Sequence, residues 1–229
     1  MLSDSGERSR TAHLHPPVID VFSDPICPWC MIGKRRLDRA LARMAEATPE
    51  RRARVRWRVF QLNPNMAAGG MDRSAYLAAK FGSAERAAEV YRVIGREGRG
   101  EGIDFAFDRI RRTPNTLMAH GLIRQAQAAG LASIAVERLF AAYFTQGRDI
   151  GDREVLTKLA ADIGLDADSV ASCLSGDGAD ALRAEDAAAR QRGITGVPFF
   201  LIDGRYSLAG AVAPEAIVRA LELAAESVP

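Results

Sequence analysis

The sequence predicts an α/β fold in which a strand-helix-strand half and a strand-strand-helix half are separated by a large all-helical insertion. Three observations carry this reading. Val18 to Phe22 is a short β-branched and aromatic run that leads directly into a helical pattern. After Asn63 the hydrophobic spacing stays helical for more than a hundred residues. At Pro198 it returns to strand type, and Asp203-Gly204 interrupts two strand-like runs as a hairpin turn does.

The elements follow in order. Residues 1–16 are Ser-, Arg- and His-rich without periodicity, as expected of a flexible N-terminal leader. The strand at Val18 is bounded by prolines before it and by Ser23-Asp24-Pro25 after it. Pro28 suits a first helical position, where its missing N–H is no loss. Cys30, Gly33, Leu37, Leu41 and Met44 then recur at helical offsets and define an inward face. Val55, Trp57 and Val59 share one face of a second strand, and the interleaved arginines are expected to be the solvated side of an edge strand. Asn63-Pro64-Asn65 to Gly69-Gly70 breaks the chain and opens the insertion. Within it, Val136, Leu139, Phe140 and Tyr143 form one stripe, and Val155, Leu156, Leu159 and Ile163 another, with Asp152 as N-cap and Gly164 as stop. From Gly98 to Thr113 the pattern assigns no course. An Ala-rich helix runs from about Ala179 to Gly193, and a last amphipathic helix opens at Pro214. The expected organisation is a domain of residues 17–62 and 193–229 around an inserted helical domain, 63–192.

Composition narrows the function. With 48% hydrophobic and 26% charged residues the chain is expected to be globular, and a net charge of +2 is too even for the phosphate-neutralising footprint of a nucleic-acid-binding protein. No apolar run approaches the roughly 20 residues that span a bilayer, so no membrane partner is expected. The N-terminal residues lack the apolar core of a secretory signal, and a cytoplasmic location is expected.

Cys27-Pro28-Trp29-Cys30 is the chemical centre of the sequence. A cysteine at a helix N-terminus meets unpaired backbone N–H groups and the positive end of the helix dipole, both of which stabilise a thiolate. Cys30, one turn on, faces the core. Cys27 is then the nucleophile and leaving group, and Cys30 the thiol that resolves a mixed disulfide. A bridge between them closes so short a loop that it is a poor structural staple. The competing use is zinc, but no second such pair exists, Cys173 stands alone, and His13, His15 and His120 show no ligand spacing. No metal is expected.

Ser23-Asp24-Pro25-Ile26-Cys27-Pro28-Trp29-Cys30, together with Gly196-Val197-Pro198-Phe199-Phe200 and the helical insertion, resembles the DsbA family of thiol-disulfide oxidoreductases, which have a thioredoxin-like fold. The likeness is greatest to its FrnE-like branch, and Phe60-Gln61-Leu62-Asn63-Pro64, Pro114-Asn115-Thr116 and Ala142-Tyr143-Phe144 match it further. The resemblance implies that Pro198 is a cis-proline facing the cysteines, with Val197 offering its backbone to an extended substrate. It implies a disulfide oxidoreductase or isomerase acting on a protein or small-molecule thiol or disulfide. No tightly bound cofactor is implied, and glutathione is a candidate reductant or co-substrate. Two positions depart from the branch: Met31 stands where Tyr is usual, and Val212 where Gln is frequent.

Weaker candidates surround the pair. Asp20, inside the first strand, is either a proton carrier behind the cysteines or a strand-end carboxylate on a backbone N–H. Asp24 caps or turns the chain before Pro25 and is near enough to affect Cys27. Asn115 and His120 are placed on a helix whose polar face, with Thr116 and Gln127, looks either into a cleft, as modulators, or into solvent. Cys173 is read as a small, partly buried side chain, with peripheral redox sensing as the alternative. Two rival functions stay open: a glutathione-dependent isomerase or transferase of the 2-hydroxychromene-2-carboxylate isomerase or kappa type, and a non-catalytic module with a zinc-binding or vestigial cysteine pair.

Overall fold

The computed structural model describes residues 16–49 and 52–226. The leader expected at the N-terminus, and with it His13 and His15, lies outside the described residues apart from Pro16.

β1 (Val18–Ser23) pairs in parallel with β2 (Arg54–Val59), as two strands joined by a crossover helix must, and that helix is α1 (Pro28–Ala47). β5 (Phe199–Ile202) runs antiparallel to β1 and to β6 (Tyr206–Ala209), so the sheet order is β2-β1-β5-β6. Asp203 and Gly204 take φ of 48° and 70°, and the Arg205 N–H closes onto the Ile202 carbonyl, the turn expected from Asp-Gly. The last helix, α9 (Pro214–Glu226), packs beside α1. Ile19 and Val21 point to this side, into the main core with Leu37 and Leu221. Phe22 points the other way, into a small cluster with Phe60, Ala189 and Ile194.

Between β2 and β5 lie β3 (Met71–Asp72), α2 (Arg73–Phe81), α3 (Ala84–Gly100), β4 (Arg112–Thr113), α4 (Leu117–Ala128), α5 (Ala132–Phe140), α6 (Arg153–Asp162), α7 (Ala167–Ser175) and α8 (Ala179–Gln191). The stretch without an assigned course contains the end of α3 and β4, which pairs antiparallel with β3. Two-residue strands carry no periodicity, so they leave no signal. The first expected stripe is buried at Val136, Leu139, Phe140 and Tyr143, the second is buried at Leu156 and Leu159 and half-buried at Val155 and Ile163, and Asp152 caps α6 by accepting from the Glu154 and Val155 N–H groups. The main core is continuous from α1 into the insertion, because Cys30 and Met31 share it with Phe140 and Phe144.

The arginine face of β2 is corrected in part. Arg54 is exposed as expected, but Arg56 makes two hydrogen bonds to Asp20, at 2.8 and 2.6 Å, and Arg58 meets Glu185 at 3.2 Å. The edge itself is closed by the insertion. Trp57 N–H donates to Gln127 Oε1 at 2.7 Å, Val59 N–H to Glu185 Oε1 at 3.4 Å, and Gln61 N–H to Asp186 Oδ1 at 2.7 Å. Helical side chains thus satisfy the row of N–H groups that an edge strand exposes.

Candidate active site

The turn from β1 into α1 sets the cysteines. Cys27 N–H donates to the Asp24 carbonyl at 2.9 Å, and Ile26 N–H to the Asp24 carboxyl at 3.3 Å, so Asp24 shapes the turn with backbone and side chain together. Cys27 is then the N-cap residue of α1, with Pro28 following and no side chain capping the helix. The residue holds the position that a capping Ser or Asp usually takes, but its sulfur turns to the Val197 carbonyl and not to the helix N–H groups. Trp29, half-buried, completes the pair's spacer, and the buried Met31 follows.

Both thiols are free, and they lie within hydrogen-bonding reach of each other. Cys30 is 1% exposed; burial first, and then its Cys27 neighbour, push its thiol well above the ordinary range. The Ser23 hydroxyl bonds that sulfur and opposes the shift. Across from the pair, Cys27 Sγ is 3.6 Å from the Val197 carbonyl, to which it donates, and the Val197–Pro198 peptide is cis. Pro198 comes this close to α1 because Gly33 has no Cβ; one placed there would stand 2.8 Å from Pro198 Cγ.

Asp20 is the second correction. Strand alternation puts it on the face of β1 opposite Ile19 and Val21, turned from α1 and the cysteines, with both oxygens held by Arg56. The buried carboxyl beside the pair is Asp24, fully buried, with Oδ2 accepting from Leu62 N–H at 2.7 Å. Asn115 precedes α4 instead of lying on it, accepting from Leu117 N–H and donating to the Met66 carbonyl, so it tethers the loop after β2. His120 is on α4, and of the two alternatives its face takes the cleft: it is 3% exposed, it lines a cavity between β2 and α4, and Nε2 lies 3.9 Å from Asp24 Oδ1. Cys173 is buried, its Sγ occupying the space a Cβ of Gly121 would need, and burial pushes its thiol up.

Four buried polar residues near the site escaped the sequence reading as site residues: Ser23, Gln61, Thr116 and Asp186. Gln61 donates to Thr116 at 3.3 Å, and Arg190 bonds Asp186 at 2.9 Å while stacking 4.3 Å over Phe60. The four-residue spacing of Asp186 and Arg190 inside an Ala-rich helix was the one local signal.

Burial pushes the Asp24 carboxyl up to about 7, against the pull of hydrogen bonds from Leu62, Ile26 and Thr116 and the charge of Lys80. Burial pushes His120 down to about 4, opposed by its hydrogen bond with the Phe60 backbone. Unfolded, the two titrate near 3.8 and 6.5. Stability from protonated Asp24 is complete below its unfolded value and is lost as pH rises through about 7. Stability from neutral His120 is complete above its unfolded value and is lost as pH falls through about 4. Between those limits the two slopes oppose each other. Relative to wild type, His120→Leu is expected to lose unfolding free energy with rising pH at about 1.4 kcal/mol per unit, and Asp24→Asn to gain at a similar rate. Urea denaturation series between the two values measure both slopes, and parallel curves for all three proteins would refute the assignment.

A pair of cysteines at a helix N-terminus, next to a buried strand and facing a cis X-Pro peptide, is set here in a thioredoxin-like fold. Residues 18–222 match the family model of the DSBA-like thioredoxin domain, and the chain belongs to that family. It is similar to a probable DsbA oxidoreductase from Streptomyces coelicolor, with 32% identity, 93% of this chain and 92% of that one covered, and a TM-score of 0.81. It is 27% identical to the Bacillus subtilis protein YwbO over 89% of this chain and 94% of that one. The cytosolic disulfide reductase DsbM from Pseudomonas aeruginosa, solved with GSH, shares the fold at 22% identity and a TM-score of 0.58, with 91% and 96% covered. No helix among the described residues is long and apolar enough to cross a membrane.

Proposed function

We propose that the protein is a cytoplasmic thiol-disulfide oxidoreductase or isomerase of the FrnE-like branch, exchanging disulfides through a mixed disulfide on Cys27. The observation that carries this reading is the placement of the pair: Cys27 is the N-cap residue of α1 and touches the Val197 carbonyl, and Cys30 lies one turn further into the core, the two 4% and 1% exposed. In reduction, the Cys27 thiolate attacks one sulfur of the substrate disulfide and the other leaves as a thiolate. Cys30 then attacks Cys27, closing the Cys27–Cys30 bridge and freeing the second substrate thiolate. The Val197–Pro198 backbone aligns an extended substrate beside Cys27 through short β-type pairing. Glutathione is the proposed small-molecule partner, an idea supported by DsbM having been solved with GSH.

The test is trapping. With oxidised glutathione, Cys30→Ser is expected to accumulate a mixed disulfide at Cys27 visible by mass spectrometry, whereas wild type passes on to the internal disulfide. A Cys30→Ser protein that forms no adduct, or that turns over an electrophilic substrate with glutathione as fast as wild type, would favour the isomerase or transferase reading.

A further inference from the structure

We propose that Asp24 and His120 together accept the proton of the Cys30 thiol, reached through the Ser23 hydroxyl and the cavity that Ser23 and His120 both line. The inference rests on the thiol-disulfide reading and gives its second step a proton route.

Resolution requires a buried thiol to lose its proton, and Cys30 has no direct path to bulk water. Its hydroxyl neighbour, Ser23, lines a cavity of about 360 Å³ between β2 and α4, together with Trp57, Arg58, His120, Gln127 and Glu185. Three of these side chains bring buried polar atoms without a hydrogen-bond partner, His120 Nε2, Trp57 Nε1 and Arg58 Nε, and of the three Arg58 is ion-paired, with Glu185 at 3.2 Å. An unpartnered buried polar atom costs about 1–3 kcal/mol, and a polar space this large holds water. Because the hydrogen bond to the Phe60 backbone engages His120 elsewhere, Nε2 is the ring nitrogen left to exchange a proton, and it lies 3.9 Å from Asp24 Oδ1.

The other charges nearby are already matched. Arg124 and Arg58 both meet Glu185, at 2.9 and 3.2 Å, and Asp186 meets Arg190 at 2.9 Å. Lys80 acts on Asp24 from α2, and Arg124 and Asp186 act on His120 from α4 and α8. Among these groups the carboxyl-imidazole pair has the free capacity for a proton, and burial sets Asp24 near neutrality.

In the step itself the proton passes from Cys30 Sγ through Ser23 and cavity water to the Asp24–His120 pair. The Cys30 thiolate forms its bond to Cys27 Sγ as the Cys27–substrate bond breaks, and the substrate departs as a thiolate that takes a proton from solvent. The dithiol gives up two electrons and the substrate disulfide gains them. The pair then releases its proton through the cavity mouth.

The experiment follows the two bursts of coloured thiolate released when reduced protein, in a Cys173→Ser background, meets dithiobis(nitrobenzoate) across neutral pH. The first burst reports attack by Cys27 and the second resolution by Cys30. The wild-type second burst is expected to quicken with pH through an inflection near neutrality. In Asp24→Asn that inflection is expected to vanish and the rate to fall about a hundredfold. In His120→Leu, which removes no partner of Nε2, the inflection is expected to move; this variant decides the matter if Asp24→Asn does not fold. Second-burst profiles in both variants that overlay wild type would overturn the relay while leaving thiol exchange intact. Absence of the first burst in wild type would instead overturn the functional reading beneath it.

Discussion

Cys27→Ser is expected to abolish disulfide exchange, by about a thousandfold or more, while leaving the fold as stable as wild type. Serine matches the shape of a buried cysteine, and the hydrogen bond across to the Val197 carbonyl, 3.6 Å from the sulfur, passes to the hydroxyl. The chemistry does not pass. Disulfide exchange needs a sulfur that can be oxidised, and a serine hydroxyl needs an adjacent general base to become nucleophilic. Among the described residues the one imidazole, His120, lies against Asp24, with Nε2 3.9 Å from its carboxyl. Disulfide-reduction turnover and a chemical unfolding curve on the same sample make the test. Retained turnover with glutathione and a small electrophile would point to the isomerase or transferase class, in which a serine suffices to activate the glutathione thiol.

Gly33→Ala is the second large effect, and it acts at a distance from both sulfurs. The new methyl would stand 2.8 Å from Cγ and 3.3 Å from Cβ of Pro198, ring atoms that cannot swing aside. Either α1 or the Val197–Pro198 segment must shift. Overpacking costs about 1–3 kcal/mol, and the helix interior regains about 1 kcal/mol when Ala replaces Gly, so the net stability change is small. Activity is the sensitive readout. Displacing the Val197 carbonyl by about 1 Å relative to Cys27 is expected to lower turnover by about a hundredfold. An active Gly33→Ala protein with unchanged kinetics would falsify the role given to that close approach.

The two variants draw on parts of the chain that differ in legibility. The cysteine pair, Pro28 and the helical face beginning at Cys30 were readable because each is a local rule: a proline at a first helical position, apolar residues at offsets of three and four, a thiol at a helix start. The hairpin at Asp203-Gly204 and the Asp152 cap of α6 are local in the same sense. Asp20 and Asp24 were harder to separate. Both are acids within a few residues of Cys27, and which one shares its side of the sheet depends on strand alternation and on the partner strand. Arg56 and Arg58 looked solvated because nothing in their own strand reveals Asp20 opposite or Glu185 above. Gly33 reads as a weak helix residue until a proline 165 positions away is seen against it.

Short-range chemistry was enough to specify a sulfur at the N-terminus of a helix, a second sulfur one turn further on, and the alternation of strand and helix that holds them. What the chain could not state on its own is which polar groups converge behind that pair. His120 is buried against Asp24 only because α4 packs onto the edge of β2, and Ser23 meets a cavity only because that packing leaves one. Periodicity assigns a residue to a face from its immediate neighbours, but the identity of the opposing face is a long-range fact.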